Sequence, residues 1–403
     1  MSTLAASLIW GVNTLFLLDA GLSNAGAFTV NAFFTAGQVA FEIPTGVIAD
    51  TRGRRTSYLL GAVTLLLATL LYVWLWDSGA ALWSWALASI LIGLGFTFFS
   101  GAVEAWLVDA LAANGYDGAL ESVFAKGQIA AGVAMLLGSV TGGVVAQVTN
   151  LGVPYLIRAG LLMAVFAVAY FAMRDEGFTP HRGGKPLEEL RTVISSSLDH
   201  GWRNPPIRWL MLAAPFTTGA GIFAFYAMQP YLLELYGDSS AFGIAGIAAA
   251  IVAGAQIVGG LLVPLVRKVF RRRTDALLGG GVLSVFALVG LGLTSSFWVA
   301  LTLISLWAFA FAATGPLRQA YVNGIIPSDQ RATVLSFDAL MSSAGGVVSQ
   351  PALGRAADVW SFSVSYVISA AVAAAAIPFY GLARRERAAS DPIEPSPVVS
   401  RAQ

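Results

Sequence analysis

The chain has 403 residues, of which 57% are hydrophobic and only 11% are charged, and its net charge at pH 7 is +1. In soluble domains about a quarter of the residues are charged, so this composition excludes an ordinary soluble fold. It predicts a membrane protein of transmembrane helices. The chain has no cysteine and only two histidines, which excludes thiolate metal sites and a Ser/His/Asp triad; we expect no metal, no cofactor, no enzymatic activity and no nucleic-acid partner.

Twelve apolar runs follow one another along the chain, each long enough to cross a hydrocarbon core of roughly 30 Å. They lie near residues 3–20, 25–48, 57–76, 83–110, 121–147, 154–173, 207–233, 241–268, 275–293, 296–323, 331–357 and 360–382. These runs predict an all-α integral membrane fold of two six-helix bundles, residues 1–173 and 207–383. Between them lies a central loop, 174–206, whose apolar spacing over 186–200 predicts an amphipathic helix on the membrane surface. Residues 384–403 are predicted to form a disordered tail.

Lysine and arginine concentrate at one end of the predicted helices, whereas Arg158 and Arg355 fall at the other. Positive charge marks the cytoplasmic side, so we expect both termini in the cytoplasm, in a multi-pass protein of the plasma or inner membrane. The lipid bilayer is then an obligatory partner, and a monomer is the expected state. Asp19 and Glu234 fall near the outer mouth, where solvated helix ends are the simpler interpretation.

The two halves carry an internal repeat. Residues Ser100–Leu111 align without a gap with Thr314–Ile325, at the ends of the fourth and tenth spans. Duplicated bundles of this kind place a substrate route between the halves, near the midplane. Chance similarity among low-complexity helices is the alternative.

The loop between the second and third spans has a specific spacing, formed by Gly46, Asp50, Gly53, Arg54 and Arg55. The glycine permits close helix contact, the aspartate can cap and charge the start of the third span, and the arginines can anchor a membrane surface. This pattern resembles the signature of the major facilitator superfamily, except that Thr51 stands where that family commonly has arginine. The resemblance implies a secondary transporter with two pseudo-symmetric bundles.

The same resemblance implies a cytoplasmic latch. Its pairs would be Asp50 with Arg331 and Arg54 with Asp109, and they would favour the outward-open state by holding the cytoplasmic side shut. If the arginines are only topology anchors, the spacing of the glycines and the aspartate stays unexplained.

Ionisable residues inside spans are candidates for proton coupling or gating, because they are costly there. By the resemblance, Glu104 and Arg318 would face each other across the two halves, either as a gate or as a static ion pair. Glu42 and Asp338 would approach one lateral seam, where two carboxylates raise at least one pKa. Lys126 is a further candidate to neutralise one of them.

The fifth span contains Gly138 to Gly143, which resembles the family's antiporter motif with Ser139 in place of the proline. The runs Gly101–Asp109 and Glu42–Asp50 resemble those of bacterial transporters often grouped with drug exporters. These resemblances together favour proton-coupled export of small, amphipathic molecules by alternating access. Proton-coupled uptake is the alternative within transport. A non-transporting sensor or scaffold is the alternative from another class. A channel is not favoured, because no ring of polar or charged residues recurs along the spans.

Overall fold

The computed structural model describes residues 1–100, 102–118, 120–178, 202–326 and 331–393. In this part of the chain helices are joined by turns and loops, and the β-structure is an isolated bridge between Arg272 and Pro392. The helices of the first half are α1 Ser2–Ser7, α2 Asn13–Asp19, α3 Asn24–Arg52, α4 Arg54–Trp76, α5 Leu82–Phe99, α6 Ala102–Ala113, α7 Leu120–Val148 and α8 Val153–Ala172. Those of the second half are α9 Pro205–Tyr236, α10 Phe242–Leu261, α11 Val263–Val269, α12 Arg273–Leu293, α13 Phe297–Asn323, α14 Arg331–Val359, α15 Phe362–Ala374 and α16 Ile377–Arg385.

These helices agree with the twelve predicted spans. Within the described residues, ten helical stretches are long and apolar enough to cross a membrane, with α5 and α6 counted as one stretch and α15 and α16 as another. The first span is divided into α1 and α2, separated by turns. The eleventh span is α14, which is long enough but carries polar and charged residues along its length. The all-α membrane fold is therefore confirmed.

Each half has its own apolar core. In the first bundle the ring of Phe16 stacks on Tyr155 with ring centroids 4.1 Å apart and meets Trp85 edge to face. In the second bundle Phe223 and Tyr231 both pack against Tyr366. The bundles meet where α3 packs on α14 and where α7 packs on α10.

Large apolar side chains also cover the outside of the bundles, as expected for helices that face lipid. Trp74, Trp83, Trp298 and Trp360 are all exposed and stand at helix ends remote from the arginine-rich loops. Tryptophan prefers the interface between lipid and water, so these four side chains mark one membrane boundary. We call this side the opposite end, and the side of Arg54 and Arg273 the basic end.

The third membrane span of each bundle, α4 in the first and α12 in the second, is capped at its start by an aspartate. That aspartate follows the last helix of the same bundle. Asp175 accepts a hydrogen bond from the backbone N–H of Arg55 at 2.8 Å, and Asp391 accepts one from that of Thr274 at 2.9 Å. The first N–H groups of a helix lack partners within it and carry partial positive charge, so a carboxylate there is stabilising. The carboxylate at the start of α4 is therefore Asp175, whereas Asp50, the expected cap, pairs with Arg54.

The first part of the predicted disordered tail is ordered. Asp391 is 2% exposed, its second carboxylate oxygen accepts a hydrogen bond from the Thr274 hydroxyl, and Arg273 donates to the backbone carbonyl of Pro392. These contacts hold residues 386–393 against the start of α12, which the composition of the tail does not reveal. The predicted amphipathic helix at 186–200 and residues 394–403 lie outside the described residues.

Candidate functional site: a central cavity between the bundles

A cavity with two lobes lies between the bundles. The first lobe, of about 380 Å³, is lined mainly by the first bundle and reaches Tyr226 and Gln256 of the second. The second lobe, of about 320 Å³, extends into the second bundle as far as Trp307 and Ser343. The lobes share the lining residues Phe34, Gln38, Phe225, Tyr226 and Gln256. They therefore form one central cavity to which both bundles contribute, where the duplicated sequence predicts the substrate route.

The wall of the central cavity combines aromatic rings with uncharged polar groups. Its large apolar groups are Ile9, Trp10, Phe34, Ile92, Phe96, Met135, Ile222, Phe225, Trp307 and Phe311. Amide side chains project among them from Asn13, Asn31, Gln38 and Gln256. Such a lining, mostly apolar with a few polar groups, is typical of binding sites for small molecules.

Arg158 is the one charged side chain among the described residues that line this cavity. It lies on α8 about 7–8 Å from the helix start and is 2% exposed. Its guanidinium carbon is 5.8 Å from the centroid of the Phe96 ring. Its Nε is buried without an acceptor, and within the described part of the chain no carboxylate pairs with it.

A chain of hydrogen bonds lies beside Arg158. The Tyr155 hydroxyl donates to Oδ1 of Asn13, and Nδ2 of Asn13 donates to Oδ1 of Asn31, both at 3.0 Å. The chain ends at Nδ2 of Asn31, a buried donor for which the structure contains no acceptor. Arg158 and Asn31, which each carry a buried donor without an acceptor, therefore line the same lobe.

Hydrogen bonds close the central cavity toward the opposite end. Gln229 accepts from the backbone N–H of Thr14 at 2.8 Å and donates to the carbonyl of Trp10 at 2.7 Å. Asp358 accepts from the backbone N–H groups of Asn24 and Ala25 at 2.8 and 2.9 Å. All four bonds join the first bundle to the second, so the structure has the two bundles fastened together at the opposite end.

Glycines allow the bundles to touch on the same side. A Cβ built on Gly143 of α7 would lie 2.7 Å from Cα of Gly246 on α10, in the other bundle. Within the first bundle, a Cβ built on Gly142 would lie 1.7 Å from the carbonyl oxygen of Leu8. Neither position has room for a side chain. The antiporter-like run of the sequence is thus a close-packing surface, in which Ser139 rather than proline is accommodated.

Arg318 and Asp338 form an ion pair within the second bundle. Both terminal nitrogens of Arg318 lie 2.6 Å from carboxylate oxygens of Asp338, and one nitrogen also donates to the carbonyl of Leu210 at 3.3 Å. Asp338 is 6% exposed, and Arg318 lines a side cavity of about 200 Å³ that adjoins the second lobe at Trp307 and Phe311. Such a two-point pair fixes both side chains strongly.

The other acidic candidates do not form the expected pairs. Arg318 is joined to Asp338 of its own bundle rather than to Glu104, whose side chain is exposed. Glu42 is exposed and accepts a hydrogen bond from the Ser100 hydroxyl at 2.7 Å, so it does not share a site with Asp338. Although α3 does pack on α14 as expected, the two carboxylates turn to different partners. Lys126 is exposed.

The signature loop brings three of its predicted partners together. Arg54 forms an ion pair with Asp50 one turn earlier, and its Nε lies 4.0 Å from Oδ2 of Asp109. A Cβ built on Gly53, whose φ is +103°, would lie 2.2 Å from Asp175, whereas Gly46 has open space around it. Arg55 donates to the carbonyl of Tyr170 at 2.7 Å. The side chain of Arg331 lies outside the described residues, so the Asp50–Arg331 pair stays a prediction.

The residues expected at the outer mouth lie near helix ends. Asp19 accepts a hydrogen bond from the indole N–H of Trp76 at 2.8 Å, and Glu234 is exposed in the last turn of α9. Neither lines the central cavity. These positions agree with solvated helix ends.

Sequence analysis does not identify Arg158 as a site residue, because there it is only one of the few cations predicted on the outer side. Its position inside an apolar run was the available signal, since an ionisable residue within a span is a functional candidate. The amides of Asn31 and Gln38 gave no comparable signal, because polar residues of this kind are frequent along the chain.

Comparison with known proteins agrees with this architecture. Residues 1–273 and 263–401 match the family model of the Major Facilitator Superfamily. No curated protein sequence is significantly similar to the chain.

Several solved transporters share the fold at low sequence identity. The nucleoside transporter NupG is 12% identical with a TM-score of 0.74, covering 94% of this chain and 96% of its own. A bacterial homologue of the human lysosomal transporter Spinster, in an inward-facing and unoccupied conformation, is 17% identical with a TM-score of 0.73, covering 95% and 94%. The xylose transporter XylE from E. coli, in an inward-open conformation, is 14% identical with a TM-score of 0.68, covering 94% of each chain. These likenesses show the same fold along nearly the whole chain. Because the family match spans both bundles, the protein belongs to the major facilitator superfamily.

Proposed function

We propose that the protein exports small, amphipathic molecules in exchange for protons, by alternating access to the central cavity. The observation that carries the proposal is the cavity itself, a largely apolar space to which both bundles contribute. Loosely matched substrates suit such a wall, because apolar contact is not directional and only a few polar groups set orientation.

Alternating access requires contacts that differ between two states. The bonds of Gln229 and Asp358 are of this kind, since they join the bundles at one end only and must break when the cavity opens there. At the basic end, Arg54 of the signature loop lies beside Asp50 and Asp109 of its own bundle, and we propose the predicted pair of Asp50 with Arg331 of the second bundle as the latch of the other state. Rocking of one bundle against the other would exchange the bonds of Gln229 and Asp358 for the pair between Asp50 and Arg331.

We assign proton coupling to Asp338 with Arg318. Of the acidic candidates, Asp338 is the one that is buried against a cation, and that cation, Arg318, lines the side cavity. Protonation of Asp338 removes the charge that holds Arg318, and this frees Arg318 to move relative to α14. The pair thus links the proton to the position of two helices of the second bundle, α13 and α14. Glu42 and Glu104, both exposed, are secondary candidates.

The distribution of charge supports a cytoplasmic basic end. With that orientation both termini are cytoplasmic, the exposed apolar belt lies in the plasma or inner membrane, and the cavity is closed on the outer side. Since each bundle buries its own core and the cavity lies within one chain, we propose a monomer as the transporting unit.

Proton movement in proteoliposomes tests the proposal. Purified protein is reconstituted with an internal pH dye, and aromatic amphiphiles of positive, zero and negative charge are added in turn, with a sugar and an amino acid for comparison. Wild type runs beside Asp338→Asn, with Asp77→Asn as the matched control because Asp77 is exposed at a loop.

A substrate-dependent proton flux that Asp338→Asn abolishes and Asp77→Asn retains would support coupled transport. Proton movement against the substrate identifies export by exchange, and movement with the substrate identifies coupled uptake. Absence of any flux, combined with saturable binding of an amphiphile, would favour a non-transporting sensor instead.

A further inference from the structure

Two arginines, one buried and one partly buried, lie in membrane-spanning helices of this protein with very different surroundings. Arg318 has a carboxylate partner at 2.6 Å, whereas Arg158 has none in the described part of the chain. An ionised group buried without a partner is costly, and buried charges are normally paired. The charge of Arg318 is balanced by Asp338, whereas the burial of Arg158 without a partner requires a separate explanation.

We propose that Arg158 binds the anionic group of the transported molecule, so that the substrates are small organic anions with an apolar body. This inference rests on the proposed transport through the central cavity and names the substrate class. A carboxylate or phosphate there would supply the missing counter-charge, and the planar guanidinium can hold either group with two parallel hydrogen bonds.

A second donor supports the site independently. Asn31 lines the same lobe as Arg158, and its buried Nδ2 lacks an acceptor. Asn13 fixes the orientation of that amide by donating to Oδ1 of Asn31, while Tyr155 fixes Asn13 in turn. An anion held by Arg158 presents oxygen atoms to which a nearby N–H can also donate.

The rest of the cavity fits the apolar body of such an anion. Trp10, Phe34 and Phe225 line the first lobe with Arg158, and Trp307 and Phe311 continue the aromatic wall into the second lobe. A lobe of about 380 Å³ falls in the size range of small-molecule sites. With no acidic side chain among its described lining residues, the cavity offers a cation no counter-charge.

An anchoring role at the membrane surface does not account for Arg158. Arginines near helix ends extend their head groups to water, but Arg158 is 2% exposed and its ring contact is with Phe96 inside the bundle. Arg355, the other arginine predicted at this end, is exposed near the end of α14, as expected for an anchoring arginine. Arg355 therefore provides the matched control.

Binding of four naphthalene probes to the purified full-length protein tests the inference. Calorimetry compares 2-naphthoate and 2-naphthyl phosphate with neutral 2-naphthalenemethanol and cationic 2-naphthylmethylamine. Wild type should prefer both anions, and Arg158→Gln should weaken their binding about tenfold to a hundredfold, as expected for a lost hydrogen bond to a charged group. Arg158→Lys should be intermediate, and Arg355→Gln should behave as wild type.

Thermal unfolding distinguishes ligand binding by Arg158 from a purely structural role, because the two predict Tm changes of opposite sign in Arg158→Gln. If Arg158 is kept for its ligand, Arg158→Gln should raise the Tm of the ligand-free protein, because an unpaired buried charge is removed. A lowered Tm together with unchanged 2-naphthoate binding would overturn the inference. Should Arg158→Gln fail to fold, equal binding of anion and neutral probe by wild type would overturn it, and preference for the anions would support it.

Failure of this inference and failure of the proposed transport are separable. Arg158-dependent binding of 2-naphthoate without movement of 2-naphthoate or protons in proteoliposomes would retain the anion site and reject the transport. Coupled movement of the neutral probe, with no anion preference in binding, would retain the transport and reject the anion site.

Discussion

Asp338 and Arg318 are joined through both terminal nitrogens of the guanidinium, between α13 and α14 of the second bundle. Because Asp338 is buried, neither member of the pair can be removed without consequence for the other. This coupling leads to the first prediction, on stability and proton transfer together.

Asp338→Asn should abolish proton coupling and also lower the Tm, since loss of one member of a buried pair costs about 3–5 kcal/mol. Adding Arg318→Gln to the same chain should restore much of the stability, because no uncompensated charge remains, but not the coupling. Unfolding curves and proton flux, measured on the single and double variants, check both parts. A double variant with wild-type coupling would contradict the assignment.

The second prediction concerns the signature loop. Asp50→Asn should raise labelling of the central cavity from the basic end, because weakening the latch shifts the population toward the state that is open there. The chain has no cysteine, so Ser343→Cys in the second lobe provides a single labelling site without background. Unchanged labelling in Asp50→Asn, with Asp77→Asn as the control, would count against the latch.

The third prediction concerns the opposite end. Gln229→Leu removes two bonds between the bundles and leaves the Thr14 N–H and the Trp10 carbonyl without partners, at about 1–3 kcal/mol for each buried group. The population should shift toward opening at that end. Spin labels at Ser78→Cys and Ser239→Cys, on exposed loops of the two bundles, should move apart. Gln147→Leu, which removes one exposed bond to Gly243, should produce a smaller change.

The fourth prediction uses a matched pair of glycines. Gly143→Ala places a methyl group 2.7 Å from Cα of Gly246, a backbone atom that cannot yield without movement of a helix, whereas Gly160→Ala meets nothing within 4 Å. Gly143→Ala should therefore slow transport and weaken closure at the opposite end, and Gly160→Ala should do neither. Equal transport rates for the two variants would show that α7 and α10 separate more easily than their packing indicates.

The fifth prediction concerns the chain after the last helix. Asp391→Ala should lower the free energy of unfolding by about 0.5–2 kcal/mol, the usual cost of losing a side chain that caps a helix start. Asp391→Asn should retain much of the stability, because an amide oxygen can still accept from the Thr274 N–H. Asp77→Ala, at an exposed position, should change the free energy of unfolding little. An equal loss of stability in Asp77→Ala would show that the effect of Asp391→Ala does not come from capping.

The helical fold could be predicted from the sequence because the hydrocarbon core imposes a length on every span. The predicted limits of the ninth and tenth spans, 275–293 and 296–323, lie within two residues of α12 and α13. The first span was harder, since the turns that divide α1 from α2 lie inside an apolar run that has no strong breaking signal.

Side-chain partners could not be predicted in the same way. The sequence places Glu104 and Arg318 at equivalent positions of the two halves, but repeat equivalence does not fix which way each side chain turns. Arg318 meets Asp338 because α13 and α14 lie in one bundle, and Glu104 remains exposed. Arg158 was missed for a related reason, because what distinguishes it is the absence of a carboxylate in three dimensions among its described neighbours.

The paired contacts of Asp175 and Asp391 have a practical consequence for dividing or extending this protein. Each bundle therefore includes a short segment after its last helix, up to the aspartate that binds the start of α4 or α12. Two halves produced from separate genes should be divided after residue 178 rather than at Ala172, so that the first half retains its aspartate. A reporter fused in place of the residues after Arg385 would discard Asp391, and should be joined farther along the chain instead.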